Sequence, residues 1–300
     1  MLKRTLFFGS PGKLSIKNGL LVYESGKPDT VERTFPVEDI GFLILESMQI
    51  SLNSYCLNTL AECNVVVILC DSSHMPSAQM MPFSANSLTQ KFVDAQIQAS
   101  DALKRRLWKQ TVQAKISNQA AVLRHLGLPC QRLYAFAKEV CNGDEGNMEA
   151  VAARYYFQQL GGVEQVFIRE REGIPPNHAL NYGYAILRAA VARALIGSGL
   201  LCVLGIHHSN QYDPFVLADD VMEPYRPFAD ELVFANRQYF SVPALEKEHK
   251  ARLLQLLIAD VKINGERRPL MNALSYTTAS LARCFQKEEK SISYPEFYES

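Results

Sequence analysis

The sequence predicts an α+β chain: a small β-rich N-terminal domain followed by a larger all-α C-terminal domain. Two observations carry this. Up to about residue 70, short apolar runs are punctuated by Asn-Gly and other turn signals, whereas from about Thr89 apolar residues recur at helical spacing. Between them, residues 71–87 hold Pro76, Pro82 and several serines with little periodicity, as an exposed connection would. The expected boundaries are therefore 1–75, a linker at 76–88, and 89–300.

In the first domain, Leu14-Ser15-Ile16 and Leu20-Leu21-Val22-Tyr23 flank Lys17-Asn18-Gly19, and Asn-Gly supplies the positive φ angles of a tight hairpin. Residues 40–45 form a further strand candidate, residues 53–61 a short helix, and Val65-Val66-Val67-Ile68-Leu69 a fully buried strand. In the second domain, Phe92, Ile97, Leu103, Leu107, Val112 and Ile116 mark a long helical pattern that stops at Gly127-Leu128-Pro129. Asn147 can cap a helix over 148–160. Pro175, Pro176 and Asn177 introduce another, with Leu180, Leu187, Val191 and Leu195 on one stripe and Gly197 and Gly199 at its end. Residues 217–222, 245–258 and 270–285 complete the helical set.

Composition narrows the class. Hydrophobic residues at 48% and charged residues at 21% are ordinary globular values and argue against disorder. No apolar run is long enough to span a bilayer and the N-terminus lacks a signal-peptide core, so a cytoplasmic protein without membrane contact is expected. Seven scattered cysteines without a C-x-x-C pair read as reduced thiols, not a thiolate metal site. Lys and Arg total 31 and so do Asp and Glu, which argues against a uniformly basic nucleic-acid coat. Locally the balance differs. Over 101–124, Lys104, Arg105, Arg106, Lys109, Lys115 and Arg124 face one acid, Asp101, so a phosphate-facing surface is possible there, as is a solvated helix face.

The segment richest in chemistry runs over 205–227. Here His207-His208 precede a polar loop, and then come Asp219, Asp220 and Glu223 on a short helical turn. Asp220 and Glu223 are three apart and Asp219 and Glu223 four apart, so either pair shares a helix face. Carboxylate oxygens with an imidazole suit Mn²⁺ or Mg²⁺. Spacing alone also allows an exposed loop whose acids cap a helix. Glu149 lies early in its helix beside small residues that would permit close approach of a second helix, or it is a first-turn glutamate favoured by the helix dipole.

Glu149 with Ala152-Ala153-Arg154-Tyr155-Tyr156-Phe157, the run Asn177-His178-Ala179-Leu180-Asn181-Tyr182-Gly183-Tyr184, and Gly205-Ile206-His207-His208 leading to Asp220-Val221-Met222-Glu223-Pro224-Tyr225-Arg226-Pro227 together resemble the CRISPR-associated protein one family. Members insert new spacers into CRISPR arrays. The likeness covers nearly the whole chain, and the paired histidines and Leu-Ala-Asp-Asp before Met-Glu-Pro most resemble the type II branch. The resemblance implies a metal triad of Glu149, His208 and Glu223 holding Mg²⁺ or Mn²⁺, with Asp220 as a supporting acid; contacts from His207, Asp219 or Asp220 stay open. It implies an N-terminal dimerisation domain, a helical catalytic domain, a homodimer, and the small CRISPR-associated protein two as partner. It also implies double-stranded DNA as substrate, both incoming fragment and repeat, joined by 3′-hydroxyl attack on a phosphodiester. Charge adds Lys104, Arg105, Arg106, Lys109 and Lys115 as DNA contacts, with Arg154, Arg188 and Arg226 nearer the metal. The rival expectations are a metal-dependent nuclease without integration and a non-catalytic helical DNA-binding scaffold.

Overall fold

The computed structural model describes residues 3–25, 31–80, 82, 86–161, 167–170 and 175–298, which fall into two units, residues 1–85 and 86–300. In the first unit the strands are β1 (Arg4–Phe8), β2 (Gly12–Lys17), β3 (Leu20–Ser25), β4 (Arg33–Pro36), β5 (Ile40–Leu45) and β6 (Ile50–Leu52). Helix α1 (Ser54–Glu62), β7 (Val66–Cys70) and β8 (Pro76–Met80) follow. Two four-stranded sheets result, in the orders β4-β3-β2-β6 and β1-β5-β7-β8. Asn18 and Gly19 take φ of 51° and 76°, and the hairpin they close sets Ile16 against Leu21 and Leu14 against Tyr23. β5 pairs in parallel with β1 and β7, and all six of its residues are buried, as expected for a strand covered on both faces. Asn53 caps α1 by accepting the Cys56 N–H at 2.9 Å. Leu14, Leu21, Ile40, Leu43, Leu60 and Val67 are among the side chains that close one core.

The expected linker at 76–88 begins instead with a strand. β8 pairs antiparallel with β7 at the edge of its sheet, from Cys70–Pro76 to Val67–Met80. Pro76 stands at the first strand position, where a missing N–H is tolerated, so the proline that suggested a loop is compatible with an edge strand. Linker positions 81 and 83–85 lie outside the described residues.

The second unit contains α2 (Thr89–Ile97), α3 (Asp101–His125), α4 (Gln131–Glu139), α5 (Met148–Gly161), α6 (Asn177–Gly197), α7 (Val216–Met222), α8 (Arg226–Phe234), α9 (Arg237–Phe240), α10 (Lys247–Leu254) and α11 (Leu270–Phe285). Helix α3, 25 residues and about 37 Å long, is its axis and packs against α4, α5 and α8. Its apolar pattern was continuous with that of α2, but Ser100 interrupts it and caps α3 by accepting the Leu103 N–H. The unit is not all-α. Strands β9 (Asp260–Ile263), β10 (Glu266–Pro269) and β11 (Glu296–Phe297) form a small antiparallel sheet in the order β10-β9-β11. Its hairpin turns on Asn264 and Gly265 at φ 51° and 82°, the same Asn-Gly signal as in the first unit. The segment after Phe285 is pinned along α3: Gln110 bonds Lys290 and Ile292, Thr111 meets the Tyr294 hydroxyl at 2.8 Å, and Asn118 donates to the carbonyls of Pro224 and Pro295. Among the described residues no helix is long and apolar enough to cross a membrane.

Candidate metal centre

Helix α5 begins where it does because the Asp144 carboxylate accepts the N–H groups of both Met148 and Glu149 at 2.9 Å. Asn147, the expected cap, instead takes φ 50° and turns the chain into the helix. Glu149 is thereby fixed in the first turn, facing α3. Its Oε1 lies 2.6 Å from the Lys115 Nζ.

The second carboxylate arrives from far along the chain. α7 runs into a short 3₁₀ turn, Glu223–Tyr225, whose first residue presents its Oε2 to the same ammonium at 2.6 Å. Its Oε1 is 3.0 Å from the Arg226 Nε. Glu223 is nearly buried, with 7% of its side chain exposed, whereas Glu149 keeps 22%. Burial opposes ionisation of Glu223, but Arg226 and Lys115 outweigh it and hold the carboxyl below its ordinary range. Lys115 is governed the same way: burial works against its charge, and Glu223 and Glu149 together raise its pKa nonetheless.

His208 is oriented by Asp220. The Asp220 side chain is wholly buried in α7 and accepts the backbone N–H groups of Ile206 at 2.7 Å, His207 at 3.0 Å and His208 at 3.2 Å. Its Oδ1 also meets the His208 Nδ1 at 2.6 Å. A carboxylate can only accept, so Nδ1 carries the proton and Nε2 is left as the lone-pair nitrogen. The hydrogen bond to Asp220 raises the His208 pKa despite burial, and Glu223 and Glu149 both contribute to that rise, so the imidazole lies in the field of both acids. His207 does something else: its ring stacks on Trp108 with centroids 4.2 Å apart and planes 2° from parallel.

Gly205 is part of this construction. A Cβ there would sit 2.6 Å from the His208 carbonyl oxygen and from Val216 Cγ1, and 2.9 Å from Asp220 Oδ2. Gly205→Ala should cost about 1–3 kcal/mol of stability by overpacking and displace the His208 loop. Urea denaturation would measure the first and nitrogen chemical shifts of the His208 ring the second; unchanged values would mean the loop tolerates the shift.

Two neighbouring acids thus have opposite fates. Asp220 points inward to the loop amides. Asp219 turns to Arg188, which bonds it at 2.7 and 2.8 Å and Asp213 at 2.6 and 2.7 Å. Arg188, Arg226 and Arg169 line an open cavity of about 710 Å³, together with Tyr184, Asp213 and Asp219. The Arg226 guanidinium lies over the Tyr184 ring, 4.8 Å from its centroid. The Tyr184 hydroxyl donates to the buried Asp230, which Tyr156 also contacts. Arg169 and Asp230 were not among the residues singled out from sequence; nothing in their local spacing marks them.

The basic residues of α3 do not form one stripe, because successive helical residues point about 100° apart. Lys104 and Lys109 are half-buried, Arg105 and Arg106 exposed. Arg105 pairs with Glu145, while Lys104, Arg106, Lys109 and the exposed Arg154 form no ion pair among the described residues. Lys115 is placed differently from a surface phosphate contact: only 12% of its side chain is exposed, and its ion-pair partners among the described residues are the two acids of the centre.

The donor set can be tested against a divalent ion. Among the described residues no three His, Cys, Asp or Glu side chains are drawn into a ready-made metal cage. Two carboxylates nevertheless already hold a cation, the Lys115 ammonium, with the His208 ring in their field. Glu223 Oε2 is buried, and the Lys115 ammonium is the cation that it meets, at 2.6 Å. Oxygen donors plus one imidazole nitrogen fit Mg²⁺ or Mn²⁺. The site fits.

The family model described as CRISPR associated protein Cas1 matches residues 6–255. A CRISPR-associated endonuclease Cas1 of Neisseria meningitidis serogroup C is 36% identical over 301 residues, covering 99% of this chain and 97% of its own. A casposase bound to integration product superposes with a TM-score of 0.79 at 19% identity, over 97% of this chain and 92% of the other. A chain of a Cas6-RT-Cas1–Cas2 complex superposes with a TM-score of 0.71 at 18% identity, over 96% of this chain and 35% of its own. At these identities the two structural likenesses speak for the fold.

Proposed function

Because the chain belongs to the CRISPR-associated Cas1 family, we propose that it is a divalent-metal-dependent DNA endonuclease and integrase that inserts foreign DNA fragments as new spacers into a CRISPR array. The observation that carries this reading is the meeting of Glu149 and Glu223, from separate parts of the chain, on one cation beside an imidazole whose Nδ1 is already committed. The relative's designation as an endonuclease and the casposase bound to its integration product support the same chemistry.

In the proposed reaction the 3′-hydroxyl oxygen of the incoming fragment bonds to a repeat-boundary phosphorus as the bond to the target strand's 3′ oxygen breaks. The hydroxyl proton is lost to solvent and the departing oxygen gains one, so the number of phosphodiesters is conserved. A bound Mg²⁺ or Mn²⁺ would supply charge neutralisation on the phosphate and acidify the nucleophile. Glu149, His208 and Glu223 would hold that ion. Asp220 keeps the imidazole in the tautomer with Nε2 available. Arg226, fixed between Glu223 and the Tyr184 ring, places positive charge at the edge of the centre for a phosphate. With water as nucleophile the same residues would hydrolyse DNA. Homodimerisation through the N-terminal domain and a small Cas2 partner belong to this proposal, and the Cas1–Cas2 assembly among the structural neighbours favours the latter.

A fluorescent fragment and a supercoiled repeat-containing plasmid test the reading. Joined product is expected with Mn²⁺ or Mg²⁺ and none with EDTA; joining in EDTA refutes the metal, and nicking without joining favours a nuclease. Phosphate contacts are checked separately. Replacing Lys104, Arg106 and Lys109 by glutamine should weaken DNA binding and flatten log K against log salt by about 0.9 per lost contact. An unchanged slope would assign these cations to a solvated face.

A further inference from the structure

Lys115 carries more than the proposed reaction uses. It stands mid-helix in α3 with its stem enclosed, and its ammonium reaches one oxygen of each acid at 2.6 Å. Two carboxylates this close would repel unless a cation lay between them, and for the buried Glu223 the cost would be large. In the protein alone, Lys115 is that cation.

We propose that Lys115 is an exchangeable counter-cation that competes with the divalent ion for Glu149 and Glu223 and withdraws when the ion binds. This rests on the metal reading above. Three features make the exchange feasible. A lysine ammonium is a compact charge on a flexible four-carbon stem, unlike a forked guanidinium held by two directed bonds. What it gives up on leaving is one contact with a single oxygen of each acid, not a bidentate pairing. Glu223 keeps Arg226 on its other oxygen at 3.0 Å and stays partnered throughout.

Charge balance gives the exchange a consequence. Glu149, Glu223, Lys115 and Arg226 sum to zero in the protein alone. With a divalent ion added the group carries two surplus positive charges, which anionic DNA phosphate would offset. Lys115 therefore weakens metal binding without DNA and links metal binding to DNA binding: each ligand should tighten the other by the same factor.

The test measures Mn²⁺ affinity without DNA, by calorimetry and by the spin-resonance signal of free Mn²⁺, for wild type, Lys115→Met and Glu149→Ala. The full-length protein is used. Lys115→Met should bind Mn²⁺ at least about tenfold more tightly than wild type, melt at a lower temperature in EDTA, and regain that loss when Mn²⁺ is added. Equal or weaker affinity in a folded Lys115→Met protein overturns the proposal, while Mn²⁺ binding that depends on Glu149 would leave the metal reading standing. Absence of Mn²⁺ binding in every variant overturns both. A measurement on wild type covers the case of a misfolded variant: acetylation of lysines followed by mass spectrometry, in Mg²⁺ and in EDTA. Lys115 should be protected in EDTA and labelled in Mg²⁺; equal protection in both, with Mg²⁺ shown to bind, overturns the exchange.

Discussion

Glu149→Ala should abolish strand transfer while leaving the fold close to intact. The expected loss is on the order of a thousandfold or more, about 4 kcal/mol of transition-state stabilisation. The stability cost should be small because Glu149 is partly exposed and among the described residues its side chain pairs only with Lys115, which retains Glu223. The structure separates the three proposed ligands in this respect. His208→Ala removes a half-exposed ring, and Asp220 still accepts three backbone N–H groups. Glu223→Ala strips a nearly buried partner from both Lys115 and Arg226, a change that typically costs about 3–5 kcal/mol. Loss of activity in Glu223→Ala would therefore confound chemistry with folding, and Glu223→Gln is the cleaner variant. Circular dichroism and thermal melts establish folding; gel-resolved strand transfer reads activity. A correctly folded Glu149→Ala protein that integrates at the wild-type rate would remove Glu149 from the centre.

Much of the fold was legible because its signals are local. The Asn18-Gly19 hairpin, the strand at 66–70 (buried except for the exposed Leu69) and the helices at 148–161 and 270–285 each follow from turn residues or periodicity. The misreadings were of a different kind. Asn264-Gly265 is as good a hairpin signal as Asn18-Gly19, but its short strands fall in the stretch left unassigned between the helices expected at 245–258 and 270–285. Pro76, a breaker by residue type, opens an edge strand. The site shows the deeper limit. Charge along α3 is visible in sequence, yet which cation turns inward depends on what packs against each face; Lys115 and Lys104 lie on nearly the same side of the helix, and only Lys115 meets the two acids. Likewise, spacing allowed either Asp219 or Asp220 to face Glu223. Their assignment rests on Arg188 from α6 and on the loop amides at 206–208, partners that no local pattern reveals.

Asp220→Ala should be among the most damaging single substitutions in the chain, and Asp220→Asn should show why. Alanine leaves three backbone N–H groups and an imidazole N–H without their acceptor; the Ile206 bond is buried and the other three part-buried, and each group that water does not reach costs about 1–3 kcal/mol. Glycine-tight packing around Gly205 leaves the pocket little room to rearrange. Activity lost that way would say little about mechanism. Asparagine fills the same volume and can still accept with its oxygen. With that oxygen on the Ile206 and His207 amides, however, its NH₂ faces the His208 amide N–H, which loses its acceptor, and the His208 Nδ1, to which it donates. The imidazole then shifts its proton to Nε2, the nitrogen proposed to meet the metal. Metal affinity and strand transfer should fall about 10- to 100-fold, with a melting temperature well above that of Asp220→Ala. Nitrogen chemical shifts of the His208 ring report the tautomer directly. A folded Asp220→Asn protein with Nε2 still unprotonated and wild-type Mn²⁺ affinity would make Asp220 a structural acid, with no part in aiming His208.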